Sequence, residues 1–234
     1  AAALGARVSQ AKLFVKIFRE ENIMNCKATD LLLYAVTDRT WLNGETLYSQ
    51  VEKCLKGGAT FLQLREKELD EEEFRKEAEE LRELCGQYHV PFVINDNVDI
   101  AVQVNADGVH VGQSDMEAGS VREKLGPDKI IGVSCGTVEQ ALLAQERGAD
   151  YIGVGAMFAT DTKTDASVVT AEALKAICEA VKIPVVAIGG LKLNNLEILK
   201  GTGAAGAAVV SALFAQDDIE QAAKDLRAKL SELI

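Results

Sequence analysis

Eight short apolar runs, each followed by a stretch with helical spacing, recur along most of this 234-residue chain. The runs are Leu31–Val36, 60–65, Pro91–Ile94, Gly108–Val111, Ile130–Val133, Tyr151–Val154, Pro184–Ile188 and Ala205–Val210. They are mostly continuous rather than alternating, as strands are when a parallel sheet is covered on both faces. Helical periodicity follows them, for example Leu47, Val51, Cys54 and Leu55, or Phe74, Ala78, Leu81 and Leu84. Three returns to a strand share a glycine signature: Gly57-Gly58-Ala59, Gly148-Ala149-Asp150 and Gly203-Ala204-Ala205. Each fits a helix that ends on a glycine before the chain re-enters the sheet. Eight such units in about 200 residues predict an α/β fold of the (β/α)8 TIM-barrel type, a single domain over residues 31–234. A doubly wound open sheet is the alternative, but it needs a switch in strand order that the sequence does not show. Residues 1–30 read as an N-terminal extension with a short extra helix at Lys12–Glu21.

Bulk properties narrow the partners. A net charge of −11 argues against nucleic acid or an anionic membrane. No apolar run reaches the roughly 18–20 residues of a membrane span. An export signal is not evident, and the five cysteines are scattered without a C-x-x-C, so the reading is a cytoplasmic chain with reduced thiols. With only His89 and His110 present, a histidine-rich metal site is excluded. The barrel is compatible with a monomer or with a symmetric homo-oligomer.

In such a barrel chemistry sits at the C-terminal ends of the strands. Strand alternation puts Gln63, Arg65 and Lys67 on one face and Leu62 and Leu64 on the other. Two cations and an amide on one face of a buried strand require an anionic partner. Asp96 and Asp115 follow adjacent strands, and one or two carboxylates at a phosphate site suit Mg2+. Each aspartate has a plainer reading as a helix N-cap. Lys163 lies in a long polar loop after the sixth strand, while Gly189-Gly190 and Val210-Ser211 follow the seventh and eighth, where barrels often bind phosphate. His110 reads as a satisfied core residue. No nucleophile–base pair stands out.

Taken together these residues resemble the thiamine phosphate synthase family. The carrying motifs are Gln63-Leu64-Arg65-Glu66-Lys67, Asn95-Asp96, His110-Val111-Gly112-Gln113-Ser114-Asp115, Gly132-Val133-Ser134, Thr160-Asp161-Thr162-Lys163, Ala187-Ile188-Gly189-Gly190 and Val210-Ser211, in the family's order over about residues 31–230. The resemblance implies a transferase that joins 4-amino-2-methyl-5-hydroxymethylpyrimidine pyrophosphate to a thiazole phosphate or its carboxylate, releasing pyrophosphate. It implies that Gln63, Leu64, Arg65, Glu66, Lys67, Asn95, Ser134 and Lys163 hold the pyrimidine substrate, with Arg65, Lys67 and Lys163 as the catalytic cations. By the same resemblance Thr160, Asp161, Thr162, Gly190, Val210 and Ser211 hold the thiazole phosphate, and Asp96 and Asp115 hold Mg2+. The chemistry fits a dissociative displacement, which needs charge stabilisation and positioning more than a general base.

One departure stands out. Where the family usually carries prolines after the sixth strand, this chain has Ala156 and Ala159. Proline lowers the entropy lost when a loop orders, so the expectation is a looser loop and weaker thiazole binding. Two rival readings are a thiazole tautomerase, which the resemblance associates with a histidine where Ala156 stands, and a non-catalytic sensor of thiamine precursors. The retained aspartate pair speaks against both, with Ala156 against the first and Lys163 against the second.

Overall fold

A computed structural model describes residues 25–112, 118–159 and 168–234. The Lys12–Glu21 helix expected from the sequence lies outside the described residues, as do Asp115 and Thr160 to Lys163. Eight parallel strands close into a barrel in sequence order. They are β1 (Leu33–Val36), β2 (Phe61–Leu64), β3 (Phe92–Asn95), β4 (Gly108–Val111), β5 (Ile130–Cys135), β6 (Tyr151–Val154), β7 (Val185–Ile188) and β8 (Gly206–Val209). Closure is through β1 and β8, with Leu33 opposite Ala207. The (β/α)8 barrel expected from the sequence is therefore the observed architecture, and the open-sheet alternative falls.

The helices between strands are α1 (Leu47–Lys56), α2 (Glu71–Tyr88), α3 (Val98–Gln103), α4 (Ala118–Leu125), α5 (Val138–Glu146) and α6 (Ala171–Ala180), then α7 (Ser211–Phe214) and α8 (Ile219–Leu233) after β8. The seventh connection is a 3-10 turn, Leu196–Leu199, where the sequence suggested a longer helix. Side-chain oxygens of Thr46, Asp70, Asn97, Thr137, Thr170 and Asp218 cap six of these helices. Each satisfies one of the backbone donors that a helix start leaves unpaired. The glycine turns behave as read: Gly58, Gly148 and Gly203 have φ of +102°, +98° and +85°.

Two cores result from strand alternation. Leu62 and Leu64 point outward into the large core between strands and helices, with Phe74, Ala78, Leu81 and Leu84 of α2. Tyr34, Phe61, Val93, Ile130, Tyr151, Val186 and Ala208 point inward and fill the barrel. Large interior rings need small neighbours. A Cβ on Gly132 would lie 2.1 Å from Cζ of Tyr151, so only glycine at β5 leaves room for that ring. Leu31 and Cys26 belong to the same inner cluster. Just before β1, the chain from Asn25 through the 3-10 turn Ala28–Leu31 closes the N-terminal end of the barrel. Asn25 bonds there to the carbonyls of Pro127 and Lys129 and to Asp150.

Candidate active site

β2 ends at Leu64, so Arg65 and Lys67 stand on the loop beyond it rather than within the strand. Two bonds tie that loop to β1. Thr37, fully buried, accepts from the Arg65 backbone N–H at 2.9 Å, and its own N–H donates to the Gln63 carbonyl at 3.0 Å. The Arg65 guanidinium lies 3.5 Å from Asp38 Oδ2. Asp38 uses its other oxygen to accept from the Thr40 N–H, which caps the short turn Arg39–Trp41.

Glu66 holds the loop itself. Its side chain is 2% exposed, pairs with Arg39, and accepts the backbone N–H of Lys67 and Glu68 at 2.7 Å and of Leu69 at 3.3 Å. Burial pushes this carboxyl up, but the Arg39 guanidinium and the backbone donors outweigh it and hold the group below the usual carboxylate range. Arg39 also bonds Glu77 of α2 at 2.5 Å, where burial dominates and pushes the carboxyl up. The Glu66 side chain thus supports the loop from below, and the Leu64 side chain is buried in the outer core.

Across from this loop, Lys67 Nζ meets Asp96 Oδ2 at 2.9 Å, and Asn95 Nδ2 donates to the same oxygen at 2.7 Å. The helix-cap reading weighed for Asp96 goes instead to Asn97, whose Oδ1 accepts from the Ile100 N–H at 3.0 Å. Asp96 has φ of +60°, a left-handed conformation that costs a non-glycine residue about 1–3 kcal/mol. Its N–H is fixed on the His110 carbonyl at 2.9 Å. The strain sits on the one described carboxylate that was assigned to metal. Lys67, Asn95 and Asp96 line a cleft of about 730 Å³, together with Asn97, Ser120 and Lys124.

An interior chain of hydrogen bonds crosses the barrel. Gln63 Nε2 donates to the Tyr34 hydroxyl at 2.5 Å, and Tyr34 meets the Tyr151 hydroxyl at 2.7 Å. Tyr151 reaches His110 Nδ1 at 2.9 Å, and His110 Nε2 reaches Ser134 Oγ at 2.9 Å. His110 is satisfied within the core, as read, and one of its partners, Ser134, is a candidate site residue. Tyr34 and Tyr151 were missed; the signal for them is that a buried tyrosine requires a partner for its hydroxyl. Thr37 and Asp38, at the end of β1, were missed as well, though they close its apolar run.

On the far side of the rim the means change. Gly189 and Gly190 have φ of +98° and +65°. A Cβ on Gly189 would lie 2.6 Å from Cβ of Ala156, and one on Gly190 2.7 Å from Cβ of Phe158. The turn after β7 therefore packs directly on the segment after β6, joined by Met157 N–H to the Ile188 carbonyl (2.9 Å) and Phe158 N–H to that of Gly189 (3.0 Å). The Gly155–Ala156 peptide is cis. Ala156 is buried and its carbonyl accepts from Val169 N–H at 2.7 Å, while Ala159 is exposed. Val210 follows β8 as the residue that opens α7, with Ser211 its first member. Cys135, the cysteine nearest the rim, is 4% exposed and burial pushes its thiol up to about 12, which does not suit a thiolate nucleophile.

Cations, an aspartate and glycine turns gather at the strand ends of this (β/α)8 barrel, the end at which such barrels frequently bind phosphate. The family model described as thiamine monophosphate synthase matches residues 33–213. A thiamine-phosphate synthase of Ruminiclostridium cellulolyticum is 51% identical over 84% of this chain and 94% of its own length. One of Clostridium tetani is 46% identical over 89% of this chain and all of its own. Among solved structures, a thiamine phosphate pyrophosphorylase of Pyrococcus furiosus superposes with a TM-score of 0.82 at 39% identity, covering 88% of this chain and 98% of that one. The chain belongs to the thiamine monophosphate synthase family.

Proposed function

We propose that this chain is a thiamine phosphate synthase, coupling the pyrimidine pyrophosphate to a thiazole phosphate with release of pyrophosphate. The observation that carries the reading, beyond family membership, is the meeting of Lys67, Asn95 and Asp96 at the ends of β2 and β3, with Arg65 held by Asp38 on the same loop as Lys67. Both cations are held in pairs that are partly open to solvent: Lys67 is 51% exposed and Asp96 35%. Such pairs contribute only about 0.2–1 kcal/mol. They hold each cation in place yet yield readily to the oxygens of a pyrophosphate, where the charge develops as the C–O bond breaks. Arg65 offers a planar fork and Lys67 a point charge for that task. Lys163, outside the described residues, is the third cation of this reading. Ser134 and Gln63 hold the pyrimidine substrate from the barrel floor. On the opposite side Gly190, Val210 and Ser211, with Thr160, Asp161 and Thr162 of the loop, hold the thiazole phosphate. Both substrates are small molecules.

Mg2+ fits the donor set. Asp96 is a hard oxygen ligand at the cleft, held by Lys67, Asn95 and its own backbone, and Asp115, outside the described residues, is the second carboxylate of the reading. Bound there, the metal would neutralise charge on the leaving pyrophosphate. Among the described residues no helix is long and apolar enough to cross a membrane. The five free cysteines accord with a cytoplasmic setting.

The reading is tested by pyrophosphate release from the pyrimidine pyrophosphate, with and without Mg2+ and with and without thiazole phosphate. Release that needs both, with thiamine phosphate formed in equal amount, supports it. Tight binding of the pyrimidine without release would replace it with a precursor sensor.

A further inference from the structure

The loops after β1 and β2 trade ion pairs. Val36 stands opposite Gln63 in the barrel, and Thr37 extends that pairing by bonding the Gln63 carbonyl and the Arg65 N–H. The two segments therefore leave the sheet side by side, Asp38-Arg39 on one and Arg65-Glu66 on the other. Each carries one carboxylate and one guanidinium. Asp38 reaches Arg65, and Arg39 reaches Glu66. Both carboxylates divide their oxygens in the same way. Asp38 Oδ1 accepts from the N–H and hydroxyl of Thr40 on its own turn, at 2.9 Å and 2.5 Å, while Oδ2 faces Arg65. Glu66 Oε1 accepts the N–H groups of Lys67, Glu68 and Leu69 on its own loop, while Oε2 meets Arg39.

The two halves of this exchange are unequal. The Arg65 and Asp38 side chains are 27% and 13% exposed and 3.5 Å apart. Glu66 is nearly inaccessible, and Arg39 bonds it through Nε while Nη2 bonds Glu77 of α2 at 2.5 Å. A planar guanidinium anchored on two carboxylates has a fixed orientation. Burial pushes the Glu77 carboxyl up while Glu66 stays low, so the charge of Arg39 is committed to Glu66. Without Arg39, Glu66 becomes a buried carboxylate with no counter-ion, and its hold on the three loop amides weakens. The residue so held is Lys67, whose ammonium reaches Asp96 at 2.9 Å. Glu66 and Lys67 line the cleft, and Arg39 stands behind them.

We propose that Arg39 is a positioning residue, acting through Glu66 to hold Lys67 at the cleft, and that the Asp38–Arg65 pair is the half that opens to a ligand anion. The reaction so served rests on the synthase reading; the exchange between the loops does not.

The test uses the full-length protein with Arg39→Lys, which keeps the charge but cannot span both glutamates in the same plane. It is expected to lower kcat about tenfold, with the KM for thiazole phosphate little changed. Combined with Glu66→Gln it is expected to cost about tenfold in all, where independent residues would multiply to about a hundredfold. A multiplied loss, or an unchanged kcat in Arg39→Lys, would overturn the role. Glu77→Gln keeps an acceptor for Arg39 away from the loop, and is expected to move the thermal midpoint with kcat unchanged. An equal fall in kcat there would assign the effect to the packing of α2. Protection of the Lys67 and Glu68 amides from exchange is read without turnover. It is expected to fall in Arg39→Lys and to hold in Asp38→Asn. Equal protection in wild type and Arg39→Lys, or an equal fall in both variants, would refute the division between the two pairs. A wild-type protein that makes no thiamine phosphate yet shows this contrast would count against the synthase reading alone.

Discussion

The two ends of the barrel use the same ionic chemistry to opposite purposes. At the N-terminal end Arg122 bonds the carbonyls of Gly126, Lys129 and Gly148 and pairs with Asp150, the two side chains being 16% and 12% exposed. Asp150 in turn accepts from the Ile131 N–H and from Asn25. At the C-terminal end Arg65 meets Asp38 across 3.5 Å and Lys67 meets Asp96 in a pair about half open to water. A cation buried among backbone carbonyls and a carboxylate is closed to a ligand, whereas a more exposed one held by a single carboxylate can exchange it. The number of fixed partners, more than the residue types, separates a lock from a binding group.

That contrast can be broken in several ways. Arg122→Ala leaves Asp150 and three carbonyls without their cation, and breaking a largely buried pair costs about 3–5 kcal/mol. The expected result is a thermal midpoint lowered by roughly 10 °C, with kcat per folded molecule unchanged. Arg65→Ala is expected to do the reverse. It would lower kcat by roughly two to three powers of ten while moving the midpoint by only a degree or two. Asp96→Asn belongs with it, and should also weaken the response of the rate to Mg2+. A smaller effect is expected at the support layer. Glu66→Gln loses the charged bond to Arg39 but keeps an acceptor for the loop, so kcat should fall about tenfold with the KM for thiazole phosphate little changed.

The smallest effect concerns pH. The folded pKa of Glu66 is lowered, so the stability it contributes is present above the ordinary glutamate pKa and is lost as pH falls through the lowered value. The protection factors of the Lys67 and Glu68 amides, with the intrinsic pH dependence of exchange divided out, should therefore fall on acidification below the usual carboxylate range. Glu66→Gln should flatten that dependence, and a slope retained in the variant would assign it elsewhere.

Much of this was legible in the chain. Eight apolar runs and three glycine turns led to the barrel because local spacing encodes both strand and helix, and strand alternation placed Leu62 and Leu64 outward and Gln63 inward as expected. Arg65, Lys67, Asn95 and Asp96 were singled out because polar residues at the end of a buried strand are conspicuous. What the sequence hid is pairing across the closed sheet. Tyr34 and Tyr151 are 117 positions apart and meet only when β1 and β6 face each other through the interior. Glu66, grouped with the ligand residues by its motif, also supports the loop, because Arg39 comes to it from the turn after β1. Asp96 was separable from a helix cap only once Asn97 was seen to hold that place.

One calorimetric series tests most directly that the β2–β3 rim is the pyrophosphate end of this molecule. Pyrophosphate with Mg2+ would be titrated into the wild-type protein and into Lys67→Ala, Arg65→Ala and Arg122→Ala, each below its unfolding midpoint. The expected result is binding to the wild type and to Arg122→Ala with similar affinity, and a loss of at least tenfold in the two rim variants. Equal affinity in all four proteins would contradict the assignment of Arg65 and Lys67 and move the anion site elsewhere on the barrel.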